Sequence, residues 1–230
     1  MASPNISFDS IPSSIRKPGK YFEFNTKLAV RTLPVNDQKV LLIGPMLATG
    51  LQAPLTPVDI FSDEDAAVYF GRGSVAHLMA RSAIKSYGYV RLSMIGVLDS
   101  GAGVVATGTV TLTGPATSSG QVSLLINNTQ VDIAVTNGDT ANALATKLRT
   151  AISALDDLPV TASVAGAVIT LTCRHKGSVG NEIAVTSIIT ATGVTAAIVA
   201  MNAGAGDPDI TPALAAVYGA GHNIIACPFS

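Results

Sequence analysis

Residues 39–43, with the sequence KVLLI, form an uninterrupted apolar run that is followed at once by Gly44-Pro45. A strand covered on one face only alternates apolar and polar residues, whereas a strand buried on both faces is apolar throughout. The continuous run therefore predicts a buried strand of an α/β sheet.

Two helices and a second strand are predicted to follow this run. Ser62 precedes Asp63-Glu64-Asp65, and an N-cap serine with acids in the first turn favours the start of a helix, which ends at Gly71. Ser74 favours a second helix, because apolar residues follow it at helical spacing. Residues 89–97 (YVRLSMIGV) predict the next strand. The order strand, helices, strand is typical of an α/β layer.

Between residues 101 and 203 the sequence becomes rich in Thr, Val, Ala and Gly and poor in charge. Strands are predicted at 106–113, 122–126, 131–135, 160–164, 167–173 and 183–189. Asn127-Asn128 and Gly166 predict tight turns between neighbouring strands, since both residue types tolerate positive φ. The block therefore predicts an independent β-rich domain.

One helix is predicted inside this block. Asp139 or Thr140 is placed to cap its first turn. Its apolar face is predicted to consist of Leu144, Leu148, Ala151, Ile152 and Leu155. The helix is therefore expected to pack on the strands around it.

The α/β character returns near the end of the chain. The composition shifts again from Met201, and Gly204, Gly206 and Pro208 predict a linker because they break regular structure. Thr211-Pro212 predicts the cap and first turn of a short helix, and 222–227 (HNIIAC) predicts a buried, parallel-type strand. Helix and strand belong with residues 21–97, so the middle block is predicted to be inserted into a loop.

The predicted fold class is mixed, between α/β and α+β. We expect a sandwiched α/β domain, residues 21–100 plus 204–230, interrupted by an inserted β-rich domain, 101–203, with one packed helix. The chain stops just after a strand that ought to lead into further α/β units. We therefore expect the α/β domain to be incomplete and to continue beyond residue 230 in a longer polypeptide.

Residues 1–20 predict an extended arm, because prolines and a glycine break any regular element there. Apolar side chains are nevertheless spaced along the arm, and the alternating pattern of residues 21–24 (YFEF) predicts a short strand. A disordered tail carries few such residues, so we expect the arm to dock on its own body or on a partner. The candidate contacts are Ile6, Phe8, Ile11, Ile15, Tyr21, Phe22 and Phe24.

Composition excludes several classes of partner. Net charge is −1, so the chain lacks the basic footprint of a nucleic-acid-binding protein. No apolar run reaches the ~18 residues of a membrane helix, and the polar N-terminus is unlike a signal peptide, which makes cytosolic synthesis the expectation. Charged residues are only 13%. Either much of the surface is buried against neighbouring subunits, or Thr and Ser supply its polarity.

The sequence contains no recognisable catalytic, cofactor or metal motif. HxH, HExxH and CxxC spacings are absent, and Cys173 and Cys227 are predicted to be small buried hydrophobes. Residues 71–74 (GRGS) fit helix capping better than phosphate binding. Residues 174–177 (RHKG) predict a turn with solvated charges, and the acid pairs 63/65 and 156/157 predict caps at helix ends. No enzyme activity is expected.

Three segments, in order along the chain, resemble tail-sheath proteins of Mu-type contractile bacteriophages and prophages. The first combines Phe8-x-x-Ile11-Pro12, Arg16-x-Pro18 and Tyr21-x-Glu23-Phe24. The second comprises GTVTLTG at 108–114, VDIAVTNGDTANALATKL at 131–148 and LPVTASVAGAVITLTCRHKGSVGNEI at 158–183, and the third is DPDITPALAAVYGAGHNIIACPFS at 207–230. The stretch HKGSVGNEI at 175–183 is the most specific. The resemblance spans nearly the whole chain, but it corresponds to the N-terminal half of a family subunit.

The resemblance implies a structural subunit that polymerises as a helical tube around the tail tube and contracts to drive it through the host envelope. Implied partners are copies of itself, the tail tube protein, and baseplate and tail terminator proteins, with no cofactor. The implied location is the virion tail, assembled in the host bacterial cytoplasm. Terminal arms would join neighbours by strand addition, with 101–203 facing outward.

Two other functions compete with this one. A Thr-rich β block on a phage or cell surface fits a receptor-binding or adhesin-like module, although the α/β frame and the arm argue against that as the main role. A nucleotide-binding enzyme would need a Gly-rich loop directly after Ile43. Pro45 stands there instead, and it removes an amide that a phosphate would need.

Overall fold

The computed structural model describes residues 14, 16–20, 38–88 and 90–229. Its strands are, in chain order, β1 (Lys39–Pro45), β2 (Val58–Ile60), β3 (Arg91–Val97), β4 (Val105–Leu112), β5 (Gly120–Ile126), β6 (Thr129–Val135), β7 (Val160–Ala165), β8 (Val168–Lys176), β9 (Val185–Ile189), β10 (Ala196–Asn202) and β11 (Ile224–Ala226). Its α-helices are α1 (Asp63–Phe70), α2 (Val75–Ser86), α3 (Ala141–Ser153) and α4 (Thr211–Val217), and Ser178–Glu182 forms a 3₁₀ turn. The predicted mixture of helices and open sheets is confirmed.

The apolar run forms β1, an inner strand of a four-stranded sheet with the order β11-β1-β3-β2. β1 is parallel to both β3 and β11, whereas β2 runs antiparallel to β3. Leu42 packs in a core with α1 and α2 on one face of the sheet. Leu41 and Ile43 pack in another core with α4 on the opposite face. Cover on both faces explains why the run has no alternation.

Serine caps set the starts of α1 and α2 as predicted. The side chain of Ser62 accepts a hydrogen bond from the amide of Asp65. The side chain of Ser74 accepts one from the amide of His77. Each hydroxyl satisfies one of the amides that a helix start leaves without an intrahelical partner. The two helices therefore begin where their local chemistry dictates.

Residues 101–203 contain two antiparallel sheets and α3. One sheet has the order β10-β4-β8-β7 and the other has the order β6-β5-β9. Their inward-facing residues and one face of α3 form a single core, which includes Val110, Val122, Leu144 and Ile169. The alternating burial along β4 and β8 shows that their sheet has one inner and one outer face.

The turns and the cap of α3 in this block are confirmed, whereas one residue of the predicted apolar face of α3 is wrong. Asn127 and Asn128 have φ of 43° and 64° in the turn between β5 and β6, and Gly166 has φ of 61° between β7 and β8. Thr140, and not Asp139, caps α3 by accepting from the amide of Ala143. Leu155 was placed wrongly on the apolar face, because α3 ends at Ser153 and the side chain is 37% exposed.

The C-terminal segment differs from its prediction in three details. The N-cap of α4 is Ile210, and Thr211 is the first residue of the helix. The amide of Thr211 donates a hydrogen bond to the side chain of Asp209. The predicted buried strand at 222–227 is shorter and is an exposed sheet edge. Cys227 is consequently exposed, whereas Cys173 is buried as expected.

Contacts within the chain divide it into residues 1–37 and residues 38–230. The predicted arm, 1–20, and the predicted strand at 21–24 lie outside the described residues, apart from residues 14 and 16–20, which are exposed. The separate folding of residues 101–203 stays a prediction. We refer below to this segment as the insert, and to the sheet β11-β1-β3-β2 with α1, α2 and α4 as the α/β layer.

Candidate assembly surface

The seven apolar residues predicted as inter-subunit contacts lie outside the described part of the structure. They are Ile6, Phe8, Ile11, Ile15, Tyr21, Phe22 and Phe24. Their proposed role stays a prediction that rests on their spacing in the sequence. The candidate surface that the structure does describe lies at the other end of the chain.

β11 presents an open edge of the α/β sheet. Within the described residues it pairs with β1 on one side, and its other side has no strand. Its residues are exposed although they are apolar, with Ile224 at 46% and Ile225 at 52%. An apolar edge strand with unpaired backbone groups is a template for another strand. Sequence reasoning missed this, because apolar composition alone does not distinguish a central strand from an edge.

The two faces of the β11 edge are both apolar. Ile225 pairs with Leu41 of β1, which faces α4, so Ile225 lies on the α4 side of the sheet. Ile224 and Ala226 are therefore on the side of α1 and α2. A strand added here would find apolar neighbours above and below it, as an inner strand does.

A cluster of titratable groups lies around His77 of α2. The amide of Gly73 donates to its Nδ1 at 3.1 Å, so the ring proton resides on Nε2, which is 3.1 Å from a carboxylate oxygen of Asp63. Burial lowers the pKa of His77, and the nearby charge of Arg81 lowers it further. Both nitrogens have structural partners, so this neutral histidine is not poised as a catalytic base.

The acid pairs, predicted to be solvated caps, have more specific roles. Asp157 receives hydrogen bonds from Arg72 and Arg81, and Arg81 also binds Asp63. Partial burial opposes the charge of Asp157, but the hydrogen bonds from Arg81 and Arg72 hold its pKa below the usual value. Asp157 lies 85 positions from Arg72 and 76 positions from Arg81 in the sequence, so no local pattern could have indicated these contacts.

The segment 174–177 is not the solvated turn that its polarity predicted. It continues β8 as far as Lys176, and His175 is fully buried with its Nδ1 2.9 Å from Asp99. Cys173 lies two residues earlier on the same inner face, and burial raises the pKa of its thiol. The buried cysteine is therefore a protonated packing residue and not an activated nucleophile.

The described residues contain no cluster of three or more His, Cys, Asp or Glu side chains suited to holding a metal ion. None of the helices in the described ranges is long and apolar enough to cross a membrane.

Comparison with known proteins gives a clear sequence match. The chain is 38% identical over 231 residues to the Mu-like prophage FluMu tail sheath protein of Haemophilus influenzae. The match covers 98% of this chain and 47% of that protein, so the chain spans about half the length of the curated relative. No protein-family model matches the sequence.

A sheath tail protein of Listeria innocua was found among solved structures. It is 15% identical, with a TM-score of 0.30, and the alignment covers 87% of this chain and 42% of that one. The sequence match by itself confirms the resemblance to Mu-type tail-sheath proteins.

Proposed function

We propose that this chain, a homologue of Mu-type tail-sheath proteins, forms part of the structural subunit of a contractile phage tail sheath. The observation that carries the proposal is the 38% identity over 98% of the chain to a prophage tail sheath protein. The subunit polymerises around the tail tube and contracts to drive that tube through the host envelope. The subunit is located in the virion tail and assembles in the host bacterial cytoplasm.

The composition of the chain supports a polymerising subunit. Only 13% of its residues are charged, which suits a surface that is largely covered by neighbours. The edge at β11, with exposed Ile224 and Ile225, is a surface that a further strand would cover, whether that strand belongs to a longer polypeptide or to a neighbouring subunit.

The proposed partners are copies of the same subunit, the tail tube protein, and baseplate and tail terminator proteins. Contacts between subunits include the N-terminal arm, through Ile6, Phe8, Ile11 and Ile15 together with the aromatic residues at 21, 22 and 24. An extended arm of this kind gains main-chain hydrogen bonds when it joins an open sheet edge. The subunit is proposed to act without a cofactor and without catalysis.

The test is negative-stain electron microscopy of the full-length protein from which this chain is drawn, with light scattering in parallel. Long hollow tubes or striated rods are the expected result, either alone or after addition of purified tail tubes as a template. A protein that stays monomeric at high concentration with and without tubes contradicts the proposal. Binding to host cells by such a monomer would instead favour the receptor-binding module.

A further inference from the structure

The insert and the α/β layer are joined by more than the two segments of chain that connect them. Two polar junctions link the parts. The first lies around Asp157, in the loop between α3 and β7, and is called here the latch. The second lies where the chain leaves and re-enters the α/β layer, around Asp99 and Asp207, and is called the collar.

In the latch, Asp157 is the contribution of the insert. Nη1 of Arg72 donates to one carboxylate oxygen at 3.1 Å, and Nη2 of Arg81 donates to the other at 2.8 Å. Each arginine is held at the same time by an acid of α1. Arg72 binds Glu64 at 2.6 Å, and Arg81 binds Asp63 at 3.0 Å. Asp157 thus meets two guanidinium groups that are already in position, which reduces the entropy lost in forming the contact.

Close packing accompanies the latch. Gly73, next to Arg72, has no room for a side chain, because a Cβ there would lie 2.5 Å from the carbonyl oxygen of Asp156 and 2.8 Å from that of Leu158. Nε of Arg174 donates to the carbonyl of Leu158 at 2.8 Å, which holds the loop to β8. The loop that carries Asp157 is therefore held to the insert by Arg174 and packs against Gly73 of the α/β layer.

In the collar, the carboxylate of Asp99 binds the end of β8, and the carboxylate of Asp207 binds the start of the 3₁₀ turn that follows it. Asp99 accepts from the amide of Lys176 at 3.0 Å, and its other oxygen lies 2.9 Å from Nδ1 of His175. Asp207 accepts from the amide of Ser178 at 2.6 Å and from its hydroxyl at 2.7 Å. Both connections are thus bound to the same short stretch of the insert.

An apolar cleft of about 390 Å³ lies between the two parts. On one side it is lined by Val75, Leu78 and Met79 of α2, and on the other by Pro159 and Ile183 of the insert. A rotation of the insert away from α2 would break both ion pairs of Asp157 and would expose more of the partly buried Val75, Leu78 and Met79 side chains to water, which is unfavourable.

We infer that Asp157 is a latch that locks the insert onto the α/β layer, so that the two parts move as one rigid body. The inference concerns the chain itself and holds whether or not the chain works in a sheath. Within a sheath, it means that a displacement of the α/β layer reaches the insert without bending between them.

The test is a distance measurement between the parts by pulsed electron paramagnetic resonance on the whole 230-residue chain. Spin labels are attached at Lys85→Cys on α2 and Arg149→Cys on α3, both exposed positions, in a Cys227→Ser background. Cys173 is 3% exposed and escapes labelling. A single narrow distance distribution is expected for the unaltered latch, and a broad or multimodal one would overturn the inference without any latch variant.

Two variants then distinguish loss of the Asp157 ion pairs from a general effect of changing the charge of this loop. Asp157→Lys places a cation against Arg72 and Arg81 and should broaden the distribution or add a longer distance. Asp156→Asn removes the neighbouring exposed carboxylate, which takes no part in the latch, and should leave the distribution unchanged. A narrow, unshifted distribution in Asp157→Lys, with native circular dichroism, would overturn the inference. If that variant does not fold, Asp157→Asn serves in its place with the same two outcomes.

Discussion

Individual residues at the boundary between the insert and the α/β layer carry roles that their neighbours in sequence do not reveal. His175 lies in a polar tetrapeptide, yet it is fully buried because Asp99, 76 residues away, supplies its partner. The serine caps and the Asn127-Asn128 turn were predictable, since each depends on atoms within a few residues. Long-range partners such as Asp157 and Arg81 depend on the completed fold, which a local pattern does not contain.

Gly73 offers a direct measure of the packing between the parts. We expect Gly73→Ala to lower the free energy of unfolding by roughly 3 kcal/mol, about half from its positive φ of 78° and the rest from collision with the loop at 156–158. Gly138→Ala is the matched control, because Gly138 also has a positive φ of 92° but nothing lies within 4 Å of its added Cβ. Its cost should be only ~1–2 kcal/mol. Equal losses for the two variants in urea denaturation would contradict the close packing at Gly73.

His77 predicts a dependence of stability on pH. Its pKa is lowered in the folded state, so the unfolded chain binds a proton more readily. The contribution of neutral His77 to the free energy of unfolding is therefore fully present above the unfolded pKa of about 6.5, and it decreases as the pH falls below that value. We expect the free energy of unfolding to fall between about pH 7.5 and pH 5.5 by more in the wild type than in His77→Gln. Between about pH 7.5 and pH 8.5 the free energies of unfolding of the two proteins should change with pH by the same amount. An equal change at acid pH as well would show that His77 is not the source of the pH dependence.

Among the elements, burial of strands was harder to predict than their existence. KVLLI and HNIIAC are similar apolar runs, but β1 lies between two parallel strands whereas β11 forms an edge. Which neighbours a strand acquires is a property of topology and not of its own residues. The short strand β2 and the strand β10 were missed for a related reason. β2 has three residues, and β10 is rich in alanine, a weak strand former.

The open edge at β11 predicts self-association of the 230-residue chain. Exposed Ile225 beside unpaired backbone groups favours pairing with another strand, and a charge at an edge strand opposes it. We expect Ile225→Lys to reduce the average mass of the chain at high concentration, measured by sedimentation velocity. Thr150→Lys, which adds the same charge on the exposed side of α3, should have little effect. Equal reduction by both variants would mean that net charge, and not the edge, controls association.

At the scale of the whole molecule, the change in composition at residues 101 and 203 is the signal that predicted an inserted segment. The two sheets and α3 between those residues share one core, and the α/β layer has its own cores on either side of its sheet. The latch and the collar could not be foreseen, because they bring together residues from both parts. The candidate arm contacts were predicted from the sequence and are tested by the deletion described next.

Deletion of residues 1–20 from the full-length subunit tests the arm. We expect assembly into tubes to be lost while the circular dichroism spectrum is retained, since the arm is proposed to bind neighbours and not to support its own fold. Replacing Ile6, Phe8, Ile11 and Ile15 by serine keeps the length of the arm and should have the same effect if its apolar residues are the contacts. Normal tubes from either variant, seen by electron microscopy, would count against the arm.

The independence of the insert can be measured with two fragments. Residues 101–203 contain the whole core formed by the two antiparallel sheets and α3, so we expect a cooperative thermal melt for this fragment alone. The fragment lacks Asp99 and Asp207, which leaves buried His175 without its carboxylate partner. A second fragment, 98–208, restores both acids and should melt at a higher temperature, because hydrogen bonds to charged groups contribute about 1.5–3 kcal/mol each. A non-cooperative melt of both fragments would show that the insert needs the α/β layer to fold, whereas equal melting temperatures would show that the collar adds no stability to the insert.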